Sequence, residues 1–171
     1  MSKLIWKQHI LSSVAGVFSI AQLVTIFFLP GGDMKILRII GWIFWAMSVV
    51  FGWLPMYHLR KYGSVTNGQS YMHTQQLVNK GIYSIVRHPQ YLALPLFNIG
   101  LMLISQHWLI IALGIPAILL MIPDLHLADQ EGLEKFGDTY RKYAEQVPKL
   151  NFVLGIFRLL KRKLRRIDEI E

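Results

Sequence analysis

The chain has 171 residues, 53% of them hydrophobic and only 16% charged, which is too apolar for a polar-surfaced globule and leaves room for one compact unit. Zero cysteines exclude a disulfide framework, a thiolate zinc site, a thiol nucleophile and an iron–sulfur cluster. The formal net charge of +8 is of the sign that suits nucleic acid, but in so apolar a chain basic residues more often record membrane topology and contact with anionic lipid.

Residues 9–30 contain no Asp, Glu, Lys or Arg and are long enough to cross a hydrocarbon layer. Lys3 and Lys7 before them resemble the basic start of a signal peptide. The run is long for one, however, and no small-residue cleavage pattern closes it, so it reads as a first span. Gly31, Gly32 and Asp33 break the helix, and residues 39–57, with Trp42, Trp45 and Trp53, supply a second span. The polar stretch 58–90 is too long for a tight connection and reads as a functional loop. Residues 91–122 are apolar again and fit a helical hairpin turning at Ser105, Gln106 and His107, with Pro95 and Pro116 as kinks. The competing reading is one long tilted span, and Gly100, Ala112 and Gly114 would let either version pack closely. Residues 124–146 repeat Leu127, Leu133, Phe136, Tyr140 and Tyr143 at helical spacing. The tail couples an apolar first half to a dense basic run, as in a helix lying among headgroups; a solvated terminal helix is the alternative.

This predicts an all-α, multi-pass transmembrane bundle of about four crossings, divided into an N-terminal helical pair (1–58), a core of loop, hairpin and following helix (59–149), and an amphipathic basic tail (150–171). Lys3, Lys7, Arg60, Lys61, Lys80, Arg87 and the tail from Lys135 to Arg166 place the N-terminus, central loop and C-terminus on the cytoplasmic side. Oligomeric state is not legible.

Two segments carry chemistry. In Arg87-His88-Pro89-Gln90-Tyr91, Pro89 keeps His88 out of a helical conformation, and Arg87 with His88 offers donors to an anion where water competes poorly. A topology anchor is the competing reading. The second segment holds Asp124, Asp129 and Glu131 just beyond an apolar run, which suits a cationic ligand, or else an ordinary solvated helix face. No metal site is expected.

The order Gly81-Ile82-Tyr83, Arg87-His88-Pro89-Gln90-Tyr91, apolar hairpin, acidic stretch, Phe136-Gly137, Tyr140, Tyr143 and Val147-Pro148 resembles the isoprenylcysteine carboxyl methyltransferase and phospholipid methyltransferase superfamily of integral membrane enzymes, over residues 75–149. The resemblance implies an S-adenosylmethionine pocket open to the cytoplasm for the cofactor and to lipid for a lipophilic substrate. It carries cofactor contacts onto Gln75, Gln76, Leu77, Val78, Tyr83, His88, Pro89, Gln90, Tyr91 and Asp129. Arg87 and His88 would hold the cofactor's polar end or order the loop, Tyr83 and Tyr91 its aromatic surroundings, and Asp129 its ammonium or ribose. Arg87, Asp129 and Glu131 form the expected catalytic set.

Departures bear on the acceptor. The family's adjacent glutamates fall on Ala128 and Asp129, its substrate-carboxylate arginine on Asp124, and its histidine before Leu77-Val78 on Gln75. A prenylcysteine carboxylate would meet an acid at Asp124, a position better suited to an amine headgroup that Asp124 or Glu131 orients. The rival readings are an NADPH-dependent sterol or enone reductase, which would need an enlarged basic pocket for the ribose phosphate, and a noncatalytic protein that binds anionic lipid through its tail.

Overall fold

The structure, a computed structural model, describes the backbone of residues 2–168 and the side chains of residues 10–165. The side chains of Lys3, Lys7 and Arg166, which enter the orientation argument, lie outside the described residues. The described residues form helices and no strand: α1 (Ser2–Thr25), α2 (Lys35–Tyr62), a 3-10 turn (Gly81–Ser84), α3 (Gln90–Ser105), α4 (Trp108–Leu119), α5 (Ile122–Gln146) and α6 (Phe152–Asp168). The hairpin turns at Gln106 and His107, where the His107 imidazole caps α4 by accepting from Leu109 N–H. α2 carries Pro55 within it and runs past the apolar stretch to Tyr62, because no Gly or Pro occurs from Met56 to Tyr62 and the cations Arg60 and Lys61 suit a helix C-terminus.

Two helical stretches, Lys35–Tyr62 and Trp108–Gln146, are long and apolar enough to cross a membrane, and Ile10–Thr25 and Gln90–Ser105 are shorter apolar helices. The apolar part of the second stretch ends at Pro123, and from Asp124 on α5 is polar. Val17, Ile20, Ile36, Ile39, Trp53 and Trp108 are all more than half exposed. Apolar exteriors of this kind are expected against lipid and are rare on soluble monomers.

The chain divides into two compact units. The first comprises Met1–Gly52 and Tyr91–Ala128. Within it α1 packs along α4, and the fully buried Gln22 ties three helices together by donating to the carbonyls of Asn98 (3.2 Å) and Ile110 (2.9 Å). Ser19 and Asn98 exchange side-chain hydrogen bonds beside it. Such bonds matter where no water can replace them. α2 and α3 approach at Gly41 and Gly100, where a Cβ on Gly41 would stand 2.9 Å from the Gly100 carbonyl oxygen. At one end of the unit the two turns meet: Gly32 N–H donates to Ser105 O at 2.9 Å, and the Gln106 amide brackets Met34. Ser12 donates to Asp124, joining the middle of α1 to the start of α5.

The second unit comprises Trp53–Gln90 and Asp129–Glu171. Its core is Tyr140, Tyr143 and Val147, with Leu77, Phe136 and Ala144 packed against them. α5 breaks at Gly137, whose φ of 54° and ψ of −131° lie where only glycine is unstrained.

Candidate functional site

Asp129 is the hub of the second unit. Its Oδ1 accepts from the Tyr140 hydroxyl at 2.6 Å and from His88 Nε2 at 2.6 Å, with Arg87 Nη1 at 3.5 Å; its Oδ2 accepts from Lys149 Nζ at 2.7 Å. Residues far apart in the chain therefore converge on one carboxylate.

Local structure explains the convergence. Pro89 is fully buried and fixes the chain just ahead of α3, while Arg87 N–H and His88 N–H donate to the carbonyls of Pro148 (3.0 Å) and Lys149 (3.3 Å). This backbone pairing lays Lys149 beside the Arg87-His88 segment. Tyr140 reaches Asp129 because α5 turns at Gly137 and because Gly132 has no side chain: a Cβ there would stand 2.4 Å from the Tyr140 ring. In an unbroken helix the eleven-residue step from Asp129 to Tyr140 would separate them by about 16.5 Å at 1.5 Å per residue. Tyr143 donates to the Tyr83 carbonyl at 2.6 Å and thereby fixes the 3-10 turn.

The electrostatics favour a fixed charge arrangement. Burial opposes ionisation of Asp129, yet the bonds from Lys149, Tyr140 and His88 outweigh it and hold the carboxyl well below the usual carboxylate range. Burial lowers His88 more than Asp129 raises it. His88 is thus a neutral imidazole at pH 7 whose Nε2–H donates to Asp129. The phenols of Tyr83, Tyr140 and Tyr143 are all pushed up, chiefly by burial. With Arg87 and Lys149 cationic and Asp129 anionic, the cluster keeps one positive charge in excess. Two buried polar atoms beside the same loop, Arg87 Nε and the Tyr83 hydroxyl, have no hydrogen-bond partner.

The other expected site residues are distributed differently. Gln75 and Gln76 are exposed, and their N–H groups donate to Gly63 O; the Gln75 side chain bonds Thr66 Oγ1 at 3.1 Å. Leu77 and Val78 pack inward. Gln90 and Tyr91 are half-buried at the start of α3, and Tyr91 belongs to the first unit. Asp124 also belongs to that unit, bonded to Ser12 through one oxygen, with Oδ1 buried and unpartnered. Glu131 is exposed and is not brought into the Asp129 cluster. Tyr140 and Lys149 were not among the expected site residues. The sequence signal for Tyr140 is the pair of glycines, Gly132 and Gly137, interrupting a helical pattern.

The family model described as phospholipid methyltransferase matches residues 36–135, more than half of the chain. The match takes in α2, the loop, the hairpin and Asp129, and stops before Tyr140. No curated protein and no solved structure matches the chain.

Proposed function

The chain belongs to the phospholipid methyltransferase family of integral membrane methyltransferases, and from that premise we propose that it transfers a methyl group from S-adenosylmethionine to a lipophilic acceptor entering from the bilayer. The observation that carries the reading is the meeting of Arg87 and His88 with Asp129, which joins the two segments that resemble the superfamily.

The residues fit the cofactor. Arg87 has a buried donor to spare, the cluster's excess positive charge suits a carboxylate, and the unpartnered Tyr83 hydroxyl adds a polar atom to an otherwise apolar wall. Arg87, His88 and Tyr83 would hold the polar end, with Val78, Pro89 and Gln90 around it. When bound, S-adenosylmethionine supplies an electrophilic methyl on a sulfonium. The chain's work is to align the acceptor with that methyl and to exclude water. Asp129 serves this as a positioning group: a carboxyl held so acidic stays ionised and is a poor proton acceptor. Its assignment to the cofactor's ammonium requires displacement of Lys149, which already occupies Oδ2 at 2.7 Å.

An amine-headgroup phospholipid is the acceptor best supported, by the family description. Four crossings put the N-terminus, loop and C-terminus on the cytoplasmic side, with α6 lying on an anionic leaflet. Isothermal titration of the detergent-purified chain with S-adenosylhomocysteine and with NADPH tests the reading. Saturable binding of the former alone, lost in Arg87→Ala with the fold retained, is expected. Binding of NADPH alone by folded protein would replace it with the reductase.

A further inference from the structure

The second unit contains a cavity of about 940 Å³, within the range of small-molecule sites. Its lining includes Lys80, Lys142, Arg162, Lys163 and Arg165, and one acid, Asp138. Asp138 pairs instead with Arg141 at 3.0 Å, and none of the five lining cations has a carboxylate partner among the described side chains. Arg162 is fixed in the wall: it donates to Ser84 O at 2.8 Å and to Gln146 Oε1 at 3.2 Å, while its Nε is buried without a partner. Tyr143, Val147 and Leu77 give the cavity an apolar floor.

We propose that this cavity is a binding site for a phosphate ester, separate from the Asp129 cluster. Arg87, His88 and Asp129 do not line it. Its charge also argues against S-adenosylmethionine, whose sulfonium and ammonium outnumber its one carboxylate. Uncompensated cations around a fixed guanidinium match instead the charge and acceptor oxygens of a phosphate, with Arg162 as the oriented donor and Lys80 and Lys142 as further cations in the lining. α6 builds one wall from a chosen face. Val153, Phe157, Leu160 and Leu164 form a stripe more than half exposed, and Arg162, nine residues from Val153, lies about 180° around the helix from it at 100° per residue. The helix thus turns its apolar side outward and Arg162, Lys163 and Arg165 to the cavity. The tail is then part of a site as well as an anchor. The phosphate ester has two sources, a phospholipid headgroup or a soluble phosphomonoester.

The test uses the full chain in detergent, following melting temperature and titration heat with glycerol 3-phosphate, dioctanoyl phosphatidate and octanoate. We expect saturable binding of at least one phosphate ester and none of octanoate. In the Lys142→Gln/Lys163→Gln variant, affinity should fall about thirtyfold, from roughly 1 kcal/mol per cation at about 1.4 kcal/mol per factor of ten. Arg162→Gln provides a second loss if its fold is intact. Binding of glycerol 3-phosphate identifies a soluble source, and binding of phosphatidate alone a lipid one. Equal effects of octanoate and phosphatidate without glycerol 3-phosphate binding, or unchanged affinity in the double variant, would overturn the inference. S-adenosylhomocysteine binding, measured in parallel, reports on the methyltransferase reading separately, and its absence with phosphate-ester binding retained leaves this inference standing.

Discussion

Asp129 gathers three donors and the Arg87 ion pair, so its removal should be felt more strongly than that of any one of them. In Asp129→Asn the side chain no longer neutralises Arg87 and Lys149, and the expected loss of stability is about 2 to 3 kcal/mol, below the roughly 3 to 5 kcal/mol for breaking a fully buried pair because the site is partly open. Tyr140→Phe deletes one donor to a charged acceptor and should cost about 1.5 kcal/mol. Chemical denaturation of both variants checks the order, and a larger loss for Tyr140→Phe would remove Asp129 as the hub. S-adenosylhomocysteine affinity should fall in Asp129→Asn; unchanged affinity would take that residue out of the cofactor site. The same cluster predicts acid lability. His88 and Asp129 both have folded pKa values below their unfolded ones, so in each case the unfolded chain binds more protons in the window between the two values. Stability therefore falls as pH drops below the ordinary histidine range, and falls again below the ordinary carboxylate range. Melting temperature measured from pH 7.5 to 5 should decline in the wild type and decline less in His88→Gln.

At the scale of elements, α5 depends on Gly137. Alanine at φ 54°, ψ −131° should cost about 1 to 3 kcal/mol and, by drawing Tyr140 away from Asp129, lower S-adenosylhomocysteine affinity as well. Hydrogen exchange at Tyr140 and Tyr143 and a titration would show both effects, whereas a stability loss with full affinity would separate the kink from the site. The same break marks the limit of what the sequence reveals. Helices α2, α3 and α4 and the turn at Gln106 and His107 are legible because unbroken apolar runs and a single polar turn leave few alternatives. Arg87 and His88 are legible because they are contiguous and sit next to a proline. Tyr140 reads as a core position of a straight helix, which by periodicity it would be; its hydroxyl reaches Asp129 only through a backbone conformation that periodicity does not encode. Lys149 depends on the pairing of residues 87–88 with 148–149, a long-range contact with no local signature. The acids of α5 read as one stretch, yet the boundary between the units falls between Ala128 and Asp129, so Asp124 and Asp129 answer to different surroundings.

For the whole molecule, the meeting of the two turns in the first unit constrains the topology. Gly32 bonds Ser105 and Gln106 brackets Met34, so the α1–α2 turn and the α3–α4 turn share one end. Any arrangement that leaves the first pair of helices in the bilayer and the hairpin outside it would break those bonds. α3, with 16 residues, reaches about 24 Å and α4, with 12, about 18 Å, less than the roughly 30 Å of hydrocarbon. A crossing by α4 therefore has to continue through residues 120–123, up to the first charge at Asp124. Zero native cysteines make each introduced thiol unique. In sealed vesicles, Asp33→Cys and Gln106→Cys should react with an impermeant maleimide from one side, and Thr66→Cys and Glu145→Cys only from the other. Labelling of Gln106→Cys together with Thr66→Cys, opposite Asp33→Cys, would contradict both the four-crossing topology and the contact between the turns. Labelling of all four from one side would leave α2 and the hairpin outside the bilayer, at odds with the exposed apolar side chains of α1, α2 and α4.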